Sequence, residues 1–336
     1  MGKIFRKAAP VFGLLFLAPL VGEYLLGNVT VRLLPSIPFL VPMYGGGALL
    51  IREIVRRTGR GWPTILLLAA AYGVIEAGIV DQSLFNPTFE SHDFQATTFV
   101  PALGISVGSS FGFIVGHVVW SIGIPIVIVE HLTPARRRTP WLGWTGLALT
   151  VLLYLFGCRI IFTDLRDSEG FMASPGQFTG AAVTAVVLVG AAFLVRRPRP
   201  ATGPGRVPRP WLTGVLAFVV SSVFVAGPET WVGFAFGVAL VIAAAVVISA
   251  AARRAHWTDR HVTALACGAL FTYGWLGFVL TSMVEPDDPV RWLGNLGFLA
   301  GAAALVVWCA LSRRARTSPP PATAEHPTAA PPRPRA

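Results

Sequence analysis

Polar residues in this chain interrupt long apolar runs instead of alternating with them. The runs are roughly 17 to 25 residues long, enough to cross about 30 Å of hydrocarbon as a helix. They predict about ten spanning helices: Ala8–Gly27, Pro38–Ile54, the stretch Gly61–Pro87, Gly108–His131, Trp141–Phe162, Thr179–Val195, Trp211–Ala226, Trp231–Ala251, His261–Ser282 and Trp292–Ser312. Trp at several helix ends fits an interfacial aromatic belt. The N-terminus has the basic start and apolar core of a signal peptide. No small-residue cleavage site follows, so a retained first helix is expected. Glycines 108, 112 and 116 form a ladder expected to admit a neighbouring helix closely. Residues 82–107 are rich in Phe and free of Lys and Arg, and are expected to form an interfacial or re-entrant element.

Composition sharpens the class. Charged residues are 13% of the chain and hydrophobic ones 54%, whereas soluble domains carry about 25% charged residues. The fold class is therefore an all-α integral membrane protein. The net charge of +11 does not point to nucleic acid, because the basic residues sit in short clusters between apolar runs. With the N-terminus inside, 23 of the 27 basic residues fall in cytoplasmic segments, and ten of the sixteen acids fall in outer ones. That bias orients ten spans with both termini in the cytoplasm. The preference for Arg over Lys suggests a GC-rich bacterial genome, and hence a bacterial plasma membrane. Cys158, Cys267 and Cys309 lie inside apolar runs without metal-ligand spacing, so neither disulfide nor metal is expected, and no cofactor is assigned.

Three regions result: residues 1–140, four helices with intramembrane polar groups; 141–312, six mostly apolar helices; and 313–336, a Pro/Arg-rich cytoplasmic tail expected to be disordered. Ten helices invite a five-plus-five inverted repeat. The two halves share no matching motif.

Ionisable groups inside a span are costly and ask for a reason. At 1.5 Å per residue, Glu23 lies about 22 Å and Glu76 about 21 Å from the cytoplasmic ends of their helices, with Tyr44 about 9 Å and His117 about 13 Å below the outer ends. These four groups occupy one layer in the outer half of the bilayer, from four helices. Tyr72 shares a stripe with Glu76, and Ser110 and Ser121 share one with His117. Asp81 follows at the exit of the third helix. Two acids and an imidazole at close range suit a proton acceptor or a small polar or cationic solute. The alternative is cohesion, with Glu76 paired to His117 and Glu23 to Tyr44. Arg52, Glu53 and Glu130 form a second polar group at the cytoplasmic end. There Arg52–Arg57 reads as a topology signal with a local ion pair, and Glu130 and His131 as snorkelling to the Arg136–Arg138 loop.

Phe113-x-x-x-His117 with Glu53-x-x-x-Arg57 resembles part of the pattern of the CAAX-processing and bacteriocin-protection intramembrane metalloproteases. That resemblance implies a Glu base and a metal-bound His. The chain departs from the pattern in having one Glu for that family's pair and no later His with Asn four residues on. Gly104-x-Ser106-x-Gly108 matches a nucleophile-elbow spelling without its strand-turn-helix setting. The residues are thus compatible with an ion-coupled transporter, an intramembrane hydrolase or lipid-modifying enzyme, or a non-catalytic assembly subunit. Transport is the leading expectation.

Overall fold

The computed structural model describes residues 2–197 and 201–317 of the chain. Its spans are α1 (Lys7–Tyr24), α2 (Val31–Arg57), α3 (Trp62–Val80), α4 (Val107–Leu132), α5 (Trp144–Glu169), α6 (Pro175–Leu194), α7 (Pro210–Val225), α8 (Trp231–Ala252), α9 (Asp259–Val284) and α10 (Pro289–Ser312). Nine are long and apolar enough to cross a membrane among the described residues. The shorter α7, 16 residues or about 24 Å, packs against α9. There a Cβ on Gly268 would stand 2.0 Å from the Gly214 carbonyl oxygen, so only glycine admits the contact.

Loops alternate between two ends. At one, Arg136 donates to the Lys7 carbonyl (2.7 Å), Arg60 to that of Val195 (2.7 Å), and Arg137 pairs with Asp259 (2.6 Å). The Arg254 guanidinium also donates to the Arg206 carbonyl there. At the other end Arg32 pairs with Asp288, Asn86 donates to Glu169 (3.1 Å), and the Ala173 N–H donates to Gln82 (2.7 Å). Every described basic loop cluster therefore gathers at one end, which the positive-inside bias assigns to the cytoplasm.

The helices do not share burial equally. The α3 window is 67% buried and that of α8 0%. Helices α1–α4 and α9 form the interior, while α5, α6, α8 and α10 form an apolar outer wall. Trp120 of α4 stacks on Tyr273 of α9 at 4.2 Å and donates to the Ala269 carbonyl (2.8 Å), joining the halves. At the α1–α2 crossing, a Cβ on Gly45 would lie 2.2 Å from the Leu15 carbonyl oxygen. Gly45→Ala is therefore expected to destabilise by about 1–3 kcal/mol, read as a lower thermal midpoint in detergent.

Several expectations change. The third helix stops at Val80, in agreement with its expected exit at Asp81, and residues 81–87 are irregular, with Gln82 buried at φ 62°. Residues 82–107 contain no helix of membrane-spanning length. They form turns and a short antiparallel hairpin, β1 (Phe99–Val100) with β2 (Ile105–Ser106). The Gln95 side chain braces the segment by donating to the Phe85 and Gly104 carbonyls (3.0 and 3.2 Å). The glycine ladder is no helix seam: Gly108 faces Thr98, Gly116 faces the Tyr273 hydroxyl, and Gly112 has nothing within 4 Å. Trp141 precedes α5 in a loop, held by the charges described below. The last helix runs on to Thr317, past the expected boundary at 312. Residues 318–336, where the expected disorder falls, lie outside the described residues.

Candidate functional site

Four helices loosen at matching depth. The α-helical ladder widens into π-helical turns at Leu20–Tyr24, Val41–Gly45, Glu76–Val80 and His117–Gly123. Each contains one of Glu23, Tyr44, Glu76 and His117. Proline contributes at three of them, since its ring displaces the preceding turn and it offers no N–H. Pro19 precedes the first, Pro42 lies in the second, and Pro125 leaves the Ser121 carbonyl of the fourth without its usual donor. In α3 the Asp81 N–H reaches back five residues to the Glu76 carbonyl at 2.9 Å. Single π turns of this kind favour functional positions.

The four side chains meet. The Tyr44 hydroxyl lies 2.6 Å from Glu23 Oε1 and 2.9 Å from Glu76 Oε1. His117 Nε2 is 2.7 Å from Glu76 Oε2, and His117 Nδ1 is 3.2 Å from Ser121 Oγ. Asn28 Nδ2 donates to Glu23 Oε2 at 2.9 Å. The result is one chain, Asn28–Glu23–Tyr44–Glu76–His117–Ser121, across α1 to α4 and the loop after α1. The expected pairings of Glu76 with His117 and Glu23 with Tyr44 both occur, and Tyr44 links them. The groups pack against one another instead of lining an open cavity. Glu23, Tyr44 and Glu76 are 8%, 4% and 3% exposed.

Tyr72 places its ring 5.7 Å from that of His117 and 6.2 Å from that of Tyr44, and among the described residues its buried hydroxyl has no hydrogen-bond partner. Asp81 caps the turn below, accepting from the Ser83 N–H at 2.9 Å. Ser110 is buried, but no hydrogen bond joins it to the cluster among those described. Asn28 escaped the sequence reading because it lies past the helix, beyond the left-handed Gly27 (φ 82°). Its five-residue spacing from Glu23 was the available signal.

The second group contains the expected local ion pairs, Arg52 with Glu53 (2.6 Å) and Arg57 with Glu53 (3.5 Å), and extends them into an interhelical lock. Arg52, fully buried, donates to Glu130 (3.1 Å), Glu53 (2.6 Å) and the Arg136 and Arg137 carbonyls (3.0 and 2.9 Å). Its guanidinium lies 3.5 Å from the Trp141 ring centroid. Arg56 grips Glu130 with two bonds of 2.7 Å, and Glu53 accepts from the Trp141 N–H at 2.8 Å. Glu130 thus turns to α2 instead of snorkelling to the loop. His131 turns to the Cys309 carbonyl (3.0 Å) and Thr263 (3.1 Å).

This separates the partial metalloprotease pattern. Glu53 belongs to the basic-end lock and His117 to the outer cluster. Among the described residues no group of three or more His, Cys, Asp or Glu is placed to hold a metal ion.

No curated protein and no solved structure matches this chain. The profile of an uncharacterized membrane protein family matches residues 13–325. That span is nearly the whole of a multi-pass helical chain, and the protein belongs to this family.

Proposed function

We propose that this protein is an ion-coupled transporter or permease for a small polar or cationic solute, set in a bacterial plasma membrane. The Glu23–Tyr44–Glu76–His117 cluster is its coupling site. The observation that carries the reading is the chain of hydrogen bonds and one imidazole–carboxylate contact, assembled from four helices and seated in four π turns. Cohesion alone would use Ser, Thr or Asn at lower desolvation cost than ionisable groups. The dense packing corresponds to an occluded conformation, and wide turns in all four helices supply the places where they can bend.

The test is flux. Protein reconstituted into liposomes under an imposed ion gradient is expected to discharge that gradient when the right solute is supplied, read by a trapped ion-sensitive dye. Absence of any solute-dependent discharge across a broad panel of amines, amino acids and drugs removes the proposal.

Tyr72 sharpens the test. Its unpaired buried hydroxyl costs about 1–3 kcal/mol, so Tyr72→Phe is expected to hold or raise the melting temperature. If that hydroxyl serves a transient state of the cluster, flux falls in the same variant. Unchanged flux would make Tyr72 a packing residue.

A further inference from the structure

Three of the four carboxylate oxygens of the cluster accept a hydrogen bond, whereas Glu76 Oε2 has no hydrogen-bond partner among the described residues and faces His117 Nε2 at 2.7 Å. Glu23 uses Oε2 for Asn28 and Oε1 for Tyr44, while Glu76 uses Oε1 for Tyr44. Tyr44 stands between two carboxylate oxygens at 2.6 and 2.9 Å, yet a phenol owns a single hydrogen. One contact uses that hydrogen. The other needs a second one, carried by a carboxyl group.

Access is uneven. Asn28 is exposed at the acidic end, and it bonds directly to Glu23. Toward the basic end the chain stops at Ser121, and the next ionisable group on α4 is Glu130, about 13 Å further along. Leu14, Leu49, Ile65, Ile122 and Ile126, each 0–1% exposed, pack in one apolar cluster with Met43, Tyr44 and Val129. Carrying charge through such a layer is costly.

We infer that the coupling ion is a proton, held singly between Glu23 and Glu76 through Tyr44 and, in this conformation, exchanged with water at the acidic end, beside Asn28. This rests on the coupling-site reading above and names its ion and its open side. A proton arriving from water adds to the Glu23 carboxylate. Glu23 then passes a hydrogen to the Tyr44 oxygen as Tyr44 passes its own to Glu76. The transfer leaves Glu23 ionised, Tyr44 neutral and Glu76 protonated, beside His117.

Carbodiimides test this on the full chain in sealed vesicles of each orientation. A protonated carboxyl adds across the C=N bond: its hydrogen goes to nitrogen, its oxygen bonds the central carbon, and the product rearranges to a stable N-acylurea. A membrane-impermeant quaternary-ammonium carbodiimide is expected to give one adduct per chain, on Glu23 or Glu76, severalfold faster from the acidic side than from the basic side, fading as pH rises. Asn28→Leu is expected to slow that labelling severalfold while leaving labelling by an apolar, permeant carbodiimide unchanged. Glu23→Gln, which keeps the side-chain shape, confirms the assignment. Equal labelling from the basic side, two adducts on one chain, or no adduct at low pH overturns the inference. The readout does not depend on flux. A protein that labels as expected but moves no solute loses the transport reading alone, and one that moves solute without labelling loses this inference alone.

Discussion

Glu76→Gln is expected to bring solute-driven discharge down to the level of empty liposomes while the protein still inserts and folds. Glu76 joins the two arms of the cluster, bonding Tyr44 through one oxygen and facing His117 through the other. Glutamine keeps the shape and some of the hydrogen bonds but cannot take up and release a proton at physiological pH. The folding penalty is that of a weakened buried hydrogen bond, about 1–3 kcal/mol, seen as a modest fall in melting temperature. The diagnostic result is the split between lost flux and retained fold. Wild-type flux in Glu76→Gln would reduce the cluster to helix cohesion. Unfolding would say that the carboxylate is needed for assembly, and Glu76→Asp would then be the variant to read.

Arg52→Ala is expected to have the largest effect on stability. The guanidinium is 0% exposed, contacts two carboxylates and two loop carbonyls, and lies over Trp141. Removing it leaves Glu53 and Glu130 buried with fewer partners, and breaking a buried pair in this way costs about 3–5 kcal/mol. The expected outcome is a sharp fall in melting temperature and in membrane yield. Arg52→Lys should recover part of the loss, since it restores the charge but not the planar fork that reaches four acceptors at once. A melting temperature for Arg52→Ala within error of the wild type would show that Arg56 and Arg57 hold the lock without it. Because this lock sits at the opposite end from the Glu23–His117 chain, the two substitutions are expected to act additively on stability.

The alternation of basic and acidic loops was legible in the sequence, because translocating clustered arginines is disfavoured and each cluster records its side of the membrane. Depth along each helix was legible too, since a fixed rise per residue converts position into height, and it put Glu23, Tyr44, Glu76 and His117 on one level. Apolar runs likewise announced the spans, although they blurred helix ends. Gln82 adopts a left-handed turn that hydropathy does not encode, and Asp164–Glu169 stay helical beyond the apolar part of α5 until Gly170 at φ 65° ends it.

Which groups touch was a matter for tertiary structure. Hydropathy fixes height but not rotation, and rotation is set by helix packing: Gly45 against Leu15, Gly157 against Pro42 and Met43, Trp120 against Tyr273. The π turns that rotate the four site residues toward one another depend on those contacts, with proline only disposing three of the helices to widen. The same holds for Asn28, whose place beside Glu23 comes from the chain reversing after Gly27, and for Glu130. Sequence neighbours suggested that Glu130 would turn to a loop, whereas the approach of α2 turned it to Arg52 and Arg56. A buried charge takes the partner that packing brings within reach, and only the folded bundle decides which one that is.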